Sequence, residues 1–273
     1  VSIDLAGPLL LVGAGKMGGA MLRGWLDGGL DPKSVHVLDP APSPEMAALF
    51  QAHGIEAGDK PEPGLEPAIV VLAVKPQILG AVMPEIESLV GPDTVVLSIA
   101  AGKTLGFLEE HLPKGAAAVR AMPNTPAAIG QGVTAVCANA HVTPAMRTAC
   151  EALLQAAGSV HWIENEDLMD AVTAVSGSGP AYVFLLTECM AEAGVELGLD
   201  RELAAALARE TVSGAGALMA GSKEEAGQLR QNVTSPQGVT AAALEVLMEK
   251  DAMPGLLKRA LAKAAARSGE LSS

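Results

Sequence analysis

The sequence predicts an α/β fold: a mostly parallel sheet covered by helices over residues 1–165, then an all-helical domain over residues 166–273. Three observations carry this prediction. Short apolar runs alternate with helical stretches in the first half, the pattern of strand–helix–strand units. A glycine-rich turn, Gly13-Ala14-Gly15-Lys16-Met17-Gly18, joins the first apolar run to the first helix. From about Glu166 the apolar spacing is helical throughout, with no strand candidate.

Taken in order, Leu9–Val12 reads as a buried strand, followed by a helix over Gly18–Leu26 and a second strand at Val35–Leu38. Ile69–Val74 and Thr94–Ile99 are near-continuous apolar runs, as expected of strands covered on both faces. Ala117–Met122 and Val133–Ala138 read as two more strands, Pro144–Ala157 as a helix, and Val160–Ile163 as a last strand at the sheet edge. Asp59–Pro67 is a Pro/Glu-rich loop. The second half reads as helices over Pro180–Leu197, Arg201–Met219, Glu224–Gln231, Pro236–Lys250 and Ala252–Ser268. Pro180 and Pro236 stand where a first-turn proline is tolerated, because that amide has no helical partner anyway. These helices carry so much Ala, Leu and Met that part of their surface is expected to be a subunit interface.

Composition narrows the partners. Hydrophobic residues make up 49% of the chain and charged residues 18%, which excludes a disordered polymer. A formal charge of -13 repels phosphate backbones and anionic lipids, so neither nucleic acid nor a membrane surface is an expected partner. No apolar stretch approaches the ~20 residues of a membrane span, and Val1–Gly7 lacks the basic start of a secretory signal. Cys137, Cys150 and Cys189 form no CxxC or Cys/His cluster and read as reduced thiols of a cytoplasmic protein. The five His residues show no metal-ligand spacing, so no metal is expected.

The glycine turn matches GxGxxG in the context that gives the motif meaning, straight after a strand and straight into a helix. Gly13 makes the tight turn, Gly15 lets backbone approach a pyrophosphate, and Gly18 allows close helix–strand contact. The helix N-terminus presents free N–H groups to the anion. This predicts a Rossmann-type dinucleotide site. Asp39, at the end of the second strand, has two readings: it accepts hydrogen bonds from the adenosine ribose and disfavours a 2′-phosphate, or it caps the loop. Pro40–Met46 holds no Lys or Arg, which favours NADH, whereas Lys60 in the following loop can reach a 2′-phosphate. Both NADPH and NADH stay open.

Four further segments occur in order along nearly the whole chain: Ala73-Val74-Lys75-Pro76-Gln77, Arg120-Ala121-Met122-Pro123-Asn124-Thr125-Pro126, Ser176-Gly177-Ser178-Gly179-Pro180-Ala181-Tyr182, and Asn232-Val233-Thr234-Ser235-Pro236 leading to Gly238 and Thr240. With the glycine turn, this set resembles the pyrroline-5-carboxylate reductase family. The resemblance implies NAD(P)H-dependent reduction of a cyclic imino acid to proline, by a homodimer or higher homo-oligomer formed through the helical domain. It implies that Val12, Gly13, Ala14, Gly15, Lys16 and Met17 hold the cofactor phosphates. Ala73, Val74, Lys75 and Pro76 would line the cofactor, and Ala100, Ala101, Met122, Pro123 and Asn124 would sit near the nicotinamide. Asn232 would reach the cofactor from a second subunit, and the turn Ser235–Thr240 would bind substrate. In the family that turn is Ser-Pro-Gly-Gly-x-Thr. Here Gln237 takes the first glycine position and Val239 replaces the common Thr or Ala.

Read physically, Ser235-Pro236 looks like a helix N-cap and first residue, with the amides of Gln237 and Gly238 pointing outward as a carboxylate cradle. Gln237 fits such a position if its φ is helical. Thr240, one turn later, would offer its hydroxyl to the imine nitrogen and is the candidate catalytic residue. No His, Glu or Cys constellation of the general-acid kind stands out, so catalysis by positioning is expected. Lys75 reads as a solvated strand-end cation, Arg120 as structural, and Ser176–Gly179 as a close-approach segment. Two rivals remain. A related imine or β-hydroxyacid oxidoreductase would share the architecture, but the latter needs a lysine that Ser176–Tyr182 does not supply. A non-catalytic dinucleotide-binding protein would bind cofactor without turnover.

Overall fold

The computed structural model describes residue 3 and residues 5–272. Residues 1, 2 and 4 of the Val1–Gly7 stretch, and Ser273, lie outside the described residues. The chain divides into two units, Val1–Gly177 with Ala265–Ser273, and Ser178–Ala264.

The first unit is built on one eight-stranded sheet. In chain order its elements are β1 (Leu9–Val12), α1 (Lys16–Asp27), β2 (Val35–Leu38), α2 (Pro44–His53), β3 (Ala57–Gly58), β4 (Ile69–Leu72), α3 (Pro76–Glu87), β5 (Val95–Ser98), α4 (Leu105–His111), β6 (Ala117–Met122), β7 (Gly132–Ala138), α5 (Pro144–Gln155), β8 (Gly158–Trp162) and α6 (Met169–Val172). The strand order is β3-β2-β1-β4-β5-β6-β7-β8. All neighbours are parallel except β6 and β7. Val12 lies opposite both Leu38 and Leu72, Leu72 opposite Ser98, and Ser98 opposite Arg120. The carboxyl ends of β1, β2, β4 and β5 are therefore level, and the chain leaves β1 in opposite directions toward β2 and β4. That switch point is where open α/β sheets open a crevice for ligands.

The apolar runs are continuous because both sheet faces are covered. Leu9, Leu11, Ile69, Val71, Val95 and Leu97 pack against Met21, Leu22 and Trp25 of α1, Phe50 of α2 and Leu153 and Leu154 of α5. Leu10, Val12, Val70, Leu72 and Val96 face Leu79, Met83 and Ile86 of α3 and Leu108 of α4. Each such side chain contributes roughly 1.5–3 kcal/mol relative to exposure. Trp25, fully buried, keeps its indole satisfied by donating to the Leu153 carbonyl at 2.8 Å. Ser43, Thr104 and Thr143 each accept a backbone N–H at the starts of α2, α4 and α5, caps that typically contribute about 1 kcal/mol.

The remaining helices are α7 (Gly179–Glu196), α8 (Arg201–Gly221), α9 (Ala226–Asn232), α10 (Val239–Leu247) and α11 (Met253–Ser272), whose last turns belong to the first unit. In the second unit α7 and α8 pack closely, with the Cβ of Ala204 standing 3.3 Å from where a side chain on Gly194 would begin. Ala204 and Ala208 are buried, but Phe184, Leu185, Leu207, Leu218, Val246 and Leu256 are exposed. A single copy leaves much of its helical apolar surface uncovered.

The structure departs from the sequence expectation in three places. The strands at Ile69–Val74 and Thr94–Ile99 are trimmed at their ends, and the short edge strand β3 was not anticipated. The helix expected over Pro236–Lys250 spans only Val239–Leu247, with Gly238 rather than Ser235 at its N-cap. Ser235–Gly238 is instead a turn closed by Gly238 N–H donating to the Ser235 carbonyl at 3.0 Å. The proline constraint on φ suits the second residue of a turn as well as the first of a helix, and the turn prevails.

Candidate functional site

The glycine turn leaves the sheet at the switch point. Gly13 has a φ of +90°, and a side chain there would begin 2.8 Å from Val74 Cγ1. A side chain on Gly18 would strike the Gly13 carbonyl and come within 2.9 Å of Ala73 Cβ. Both glycines are thus demanded by the protein's own packing. Gly15 is different. Its φ and ψ of -69° and -159° suit any residue, and a Cβ there would meet nothing within 4 Å. It forms the N-cap of α1 with no side-chain cap, and the first helical bond runs from Gly19 N–H to its carbonyl. The amides of Lys16, Met17 and Gly18 therefore lack helical partners and no acid stands in the first turn, a ready anion site. The space beside the exposed Gly15 is open, so nothing of the protein's own blocks an anion from these amides.

Asp39 follows β2 directly. Its Oδ2 accepts the Ala14 N–H at 2.8 Å and its Oδ1 the Ala41 N–H at 3.0 Å, so its carboxylate ties the glycine turn to the β2 exit. The loop-capping reading is realised in the geometry; free lone pairs remain on both oxygens. Lys60 is exposed two residues after β3.

The loops after β4, β5 and β6 emerge on the same edge. Ala73 N–H donates to the Val12 carbonyl at 2.8 Å, Val74 packs on Gly13, and Lys75 and Pro76 open α3 with the lysine exposed and no side-chain cap. Ala100 is buried and Ala101 exposed in the turn that ends in Gly102, whose φ is +73°. Met122 and Pro123 lead to Asn124, a buried side chain whose Oδ1 accepts from Val133 N–H at 3.0 Å and whose Nδ2 donates to the Ser176 carbonyl at 3.2 Å. These two bonds fix the orientation of the Asn124 side chain.

The Ser176-Gly177 segment lies in a π-helical turn over Thr173–Gly177, between α6 and α7. Such wide turns concentrate at functional sites. Gly177 lies close under the Met122 methyl, which stands 2.6 Å from where a side chain there would begin and would have to move to admit one.

Arg120, 5% exposed, donates to Glu166 Oε1 at 2.7 Å, and the same oxygen accepts the Leu105 N–H at 2.9 Å. Arg120 is structural, as its position in the sequence led one to expect. Glu166 was missed, since its partners lie 46 and 61 residues away and leave no local signal. Burial, then the nearby Glu166 carboxylate, push the Cys137 thiol up to about 11, against a smaller opposing pull from Arg120. Among the described residues no cluster of three or more His, Cys, Asp or Glu can hold a metal.

In the second unit, Asn232 ends α9 with its side chain between Glu224 Oε2 and Gln228 Nε2, each at 2.8 Å. Ser235 and Gln237 are exposed in the turn. Two expectations fail there. Gln237 has a φ of +59°, not a helical value, and is the one non-glycine with positive φ among the described residues. The Gly238 amide is not free but closes the turn. Proline second and a positive φ third define the type II pattern, which normally places glycine where Gln237 stands. A side chain on Gly238 would strike Ser235 Oγ. The free amides belong to Val239, Thr240 and Ala241 at the start of α10, since the first helical bond is Ala242 N–H to the Gly238 carbonyl at 3.1 Å. Thr240 is the second helical residue, half-buried, and not a turn further on.

A glycine turn at the switch point of a parallel sheet, with open space over a free helix N-terminus, is the arrangement of a dinucleotide-binding protein. Residues 166–271 match the family model described as pyrroline-5-carboxylate reductase dimerisation, and residues 9–102 that described as NADP oxidoreductase, coenzyme F420-dependent. The chain belongs to the pyrroline-5-carboxylate reductase family. It is 38% identical over 265 residues to the reductase of Pseudomonas aeruginosa, covering 96% of each chain. It is 36% identical over 262 residues to that of Pisum sativum, covering 96% of this chain and 94% of the relative. Among solved structures, the reductase of Coxiella burnetii superposes with a TM-score of 0.91 at 34% identity, over 98% of this chain and 99% of that one. The Plasmodium falciparum enzyme, solved with NADP bound, gives a TM-score of 0.82 at 30% identity over the whole of both chains.

Proposed function

We propose that this chain reduces 1-pyrroline-5-carboxylate to L-proline with NADPH or NADH, the last step of proline biosynthesis, as a cytoplasmic homodimer or higher homo-oligomer. The work is divided between a dinucleotide-binding region, residues 1–165, and a substrate-binding and dimerisation region, residues 166–273. The observation that carries the reading is the free N-terminus of α1 at the sheet's switch point, where the exposed Gly15 leaves room for a pyrophosphate against three unpaired amides. The P. falciparum relative with NADP supports the same ligand class, and the exposed apolar helices of the second unit support association.

Lys16, Met17 and Gly18 would hold the phosphates by their amides, and Asp39 keeps the turn in shape through Ala14. Ala73–Pro76, Ala100, Ala101, Met122 and Pro123, with the Asn124 backbone, would bound the nicotinamide end, and Asn232 would approach it from a second subunit. The nicotinamide supplies the hydride. The free amides of Val239, Thr240 and Ala241 would hold the substrate carboxylate; this is the cradle expected at Gln237 and Gly238, displaced to the true start of α10. The Thr240 hydroxyl, with no hydrogen-bond partner among the described residues, would steady the proton on the ring nitrogen. Holding the C=N carbon roughly 3–3.5 Å from the donor then supplies most of the rate. A protonated imine is already electrophilic and needs no stronger acid.

The direct test is loss of reduced-nicotinamide absorbance when 1-pyrroline-5-carboxylate is added with NADPH or NADH. Binding of either coenzyme without turnover would leave only the non-catalytic reading; turnover of a bulkier imine or a hydroxyacid alone would favour the rival oxidoreductases.

A further inference from the structure

The loop after β5, Ile99–Thr104, is shaped by residues that come late in the sequence. At its far end Glu166 Oε1 accepts the Leu105 N–H at 2.9 Å while also pairing with Arg120. At its middle a side chain on Gly102 would begin 3.1 Å from the Leu271 carbonyl, so the last turn of α11 lies directly against it. That turn is itself fastened. Ser268, the buried residue of α11, donates from Oγ to Asp170 Oδ1 of α6 at 2.6 Å. Gly269 clears the same carboxylate, since a side chain there would begin 3.2 Å from Asp170 Oδ2. Ser272 Oγ donates to the Ser268 carbonyl at 3.0 Å and closes the turn. The turn packs with the sheet unit although most of α11 belongs to the other unit.

We propose that Ser268 and Asp170 are positioning residues for the nicotinamide end of the cofactor: their hydrogen bond fixes the last turn of α11, which buttresses the Ala100–Gly102 turn. The inference rests on the reading that Ala100 and Ala101 bound the nicotinamide. Neither residue of the pair touches the glycine turn, so the adenosine and pyrophosphate part of the site lies outside its influence.

Two ligands separate this role from general support: NADPH, and the 2′-phosphate of ADP-ribose, which lacks the nicotinamide. In the full chain, Ser268→Ala and Asp170→Ala should raise the NADPH Kd about five-fold, the net scale of one lost hydrogen bond. The Kd of the nicotinamide-free ligand should stay at the wild-type value. Asp170→Asn keeps an acceptor and should bind NADPH nearly as the wild type does. NADPH affinity unchanged in both alanine variants, or equal weakening of both ligands, overturns the proposal. A wild-type protein that binds neither of these ligands, nor NADH and ADP-ribose in their place, overturns the cofactor reading beneath it.

Discussion

The Asp39 carboxylate accepts a hydrogen bond from the Ala14 N–H at 2.8 Å, so the residue for which ribose reading was one expectation holds the glycine turn in place. Asp39→Ala leaves Ala14 N–H without its partner and frees the Ala41 amide as well. The loss falls on the pyrophosphate cradle, which both coenzymes share. Titration should show NADH and NADPH weakened alike, each by about 1–2 kcal/mol. Loss of NADH binding with NADPH unaffected would restore the ribose-reading role as dominant.

Two glycines of the turn should separate stability from binding. Gly18→Ala drives a methyl into the Gly13 carbonyl and Ala73, and should lower stability by roughly 1–3 kcal/mol. Gly15→Ala places its methyl in open space with a permitted backbone. Its thermal midpoint should match the wild type while cofactor affinity falls at least ten-fold. Equal affinity would remove the pyrophosphate from that gap.

Local signals were legible and distant ones were not. GxGxxG, the strands at Leu9–Val12, Val35–Leu38 and Ala117–Met122, and the all-helical second half follow from periodicity within a few residues. Ala73 and Val74 prolong an apolar run beyond the end of β4, because a tight loop packed on Gly13 and Gly18 needs the same side chains as a covered strand. Glu166 is illegible because its hydrogen bonds close across the fold. The turn at Ser235–Gly238 misled for a subtler reason: Pro236 satisfies helix start and turn equally, and only the sign of φ at Gln237 distinguishes them.

That sign gives a prediction. A non-glycine held at a φ of +59° is strained by about 1 kcal/mol or more, and Gln237 is exposed, with no side-chain hydrogen bond among the described residues to offset this. Gln237→Gly should raise the thermal midpoint by a few degrees while leaving the turn in place. A lower midpoint would mean that the glutamine side chain stabilises the fold in the assembled protein.

The buried thiols should make the fold sensitive to alkali. Burial pushes Cys150 up to about 12, and burial with the Glu166 charge pushes Cys137 up to about 11, from an ordinary 9.0. The unfolded chain thus releases these protons first as pH rises. Their contribution to stability is complete below about pH 9 and is lost progressively toward pH 11 to 12. Cys150→Ala should lower the midpoint at neutral pH, by opening a cavity, yet flatten its decline above pH 9. An unaltered alkaline slope would show that other groups govern it.

Thr240 carries the most exacting prediction, because its role in binding and its role in catalysis can be told apart. Its amide, at the second position of α10, is unaffected by side-chain changes and would go on holding the substrate carboxylate proposed there. Its hydroxyl alone would meet the ring nitrogen, where charge changes as the C=N bond is reduced. Thr240→Ala should therefore lower kcat/KM roughly ten-fold or more, about 1.4 kcal/mol, with the loss mainly in kcat. Thr240→Ser restores the hydroxyl and should recover most of the rate. A loss confined to KM would assign Thr240 to ground-state binding, and unchanged kinetics in the alanine variant would remove its side chain from the reaction.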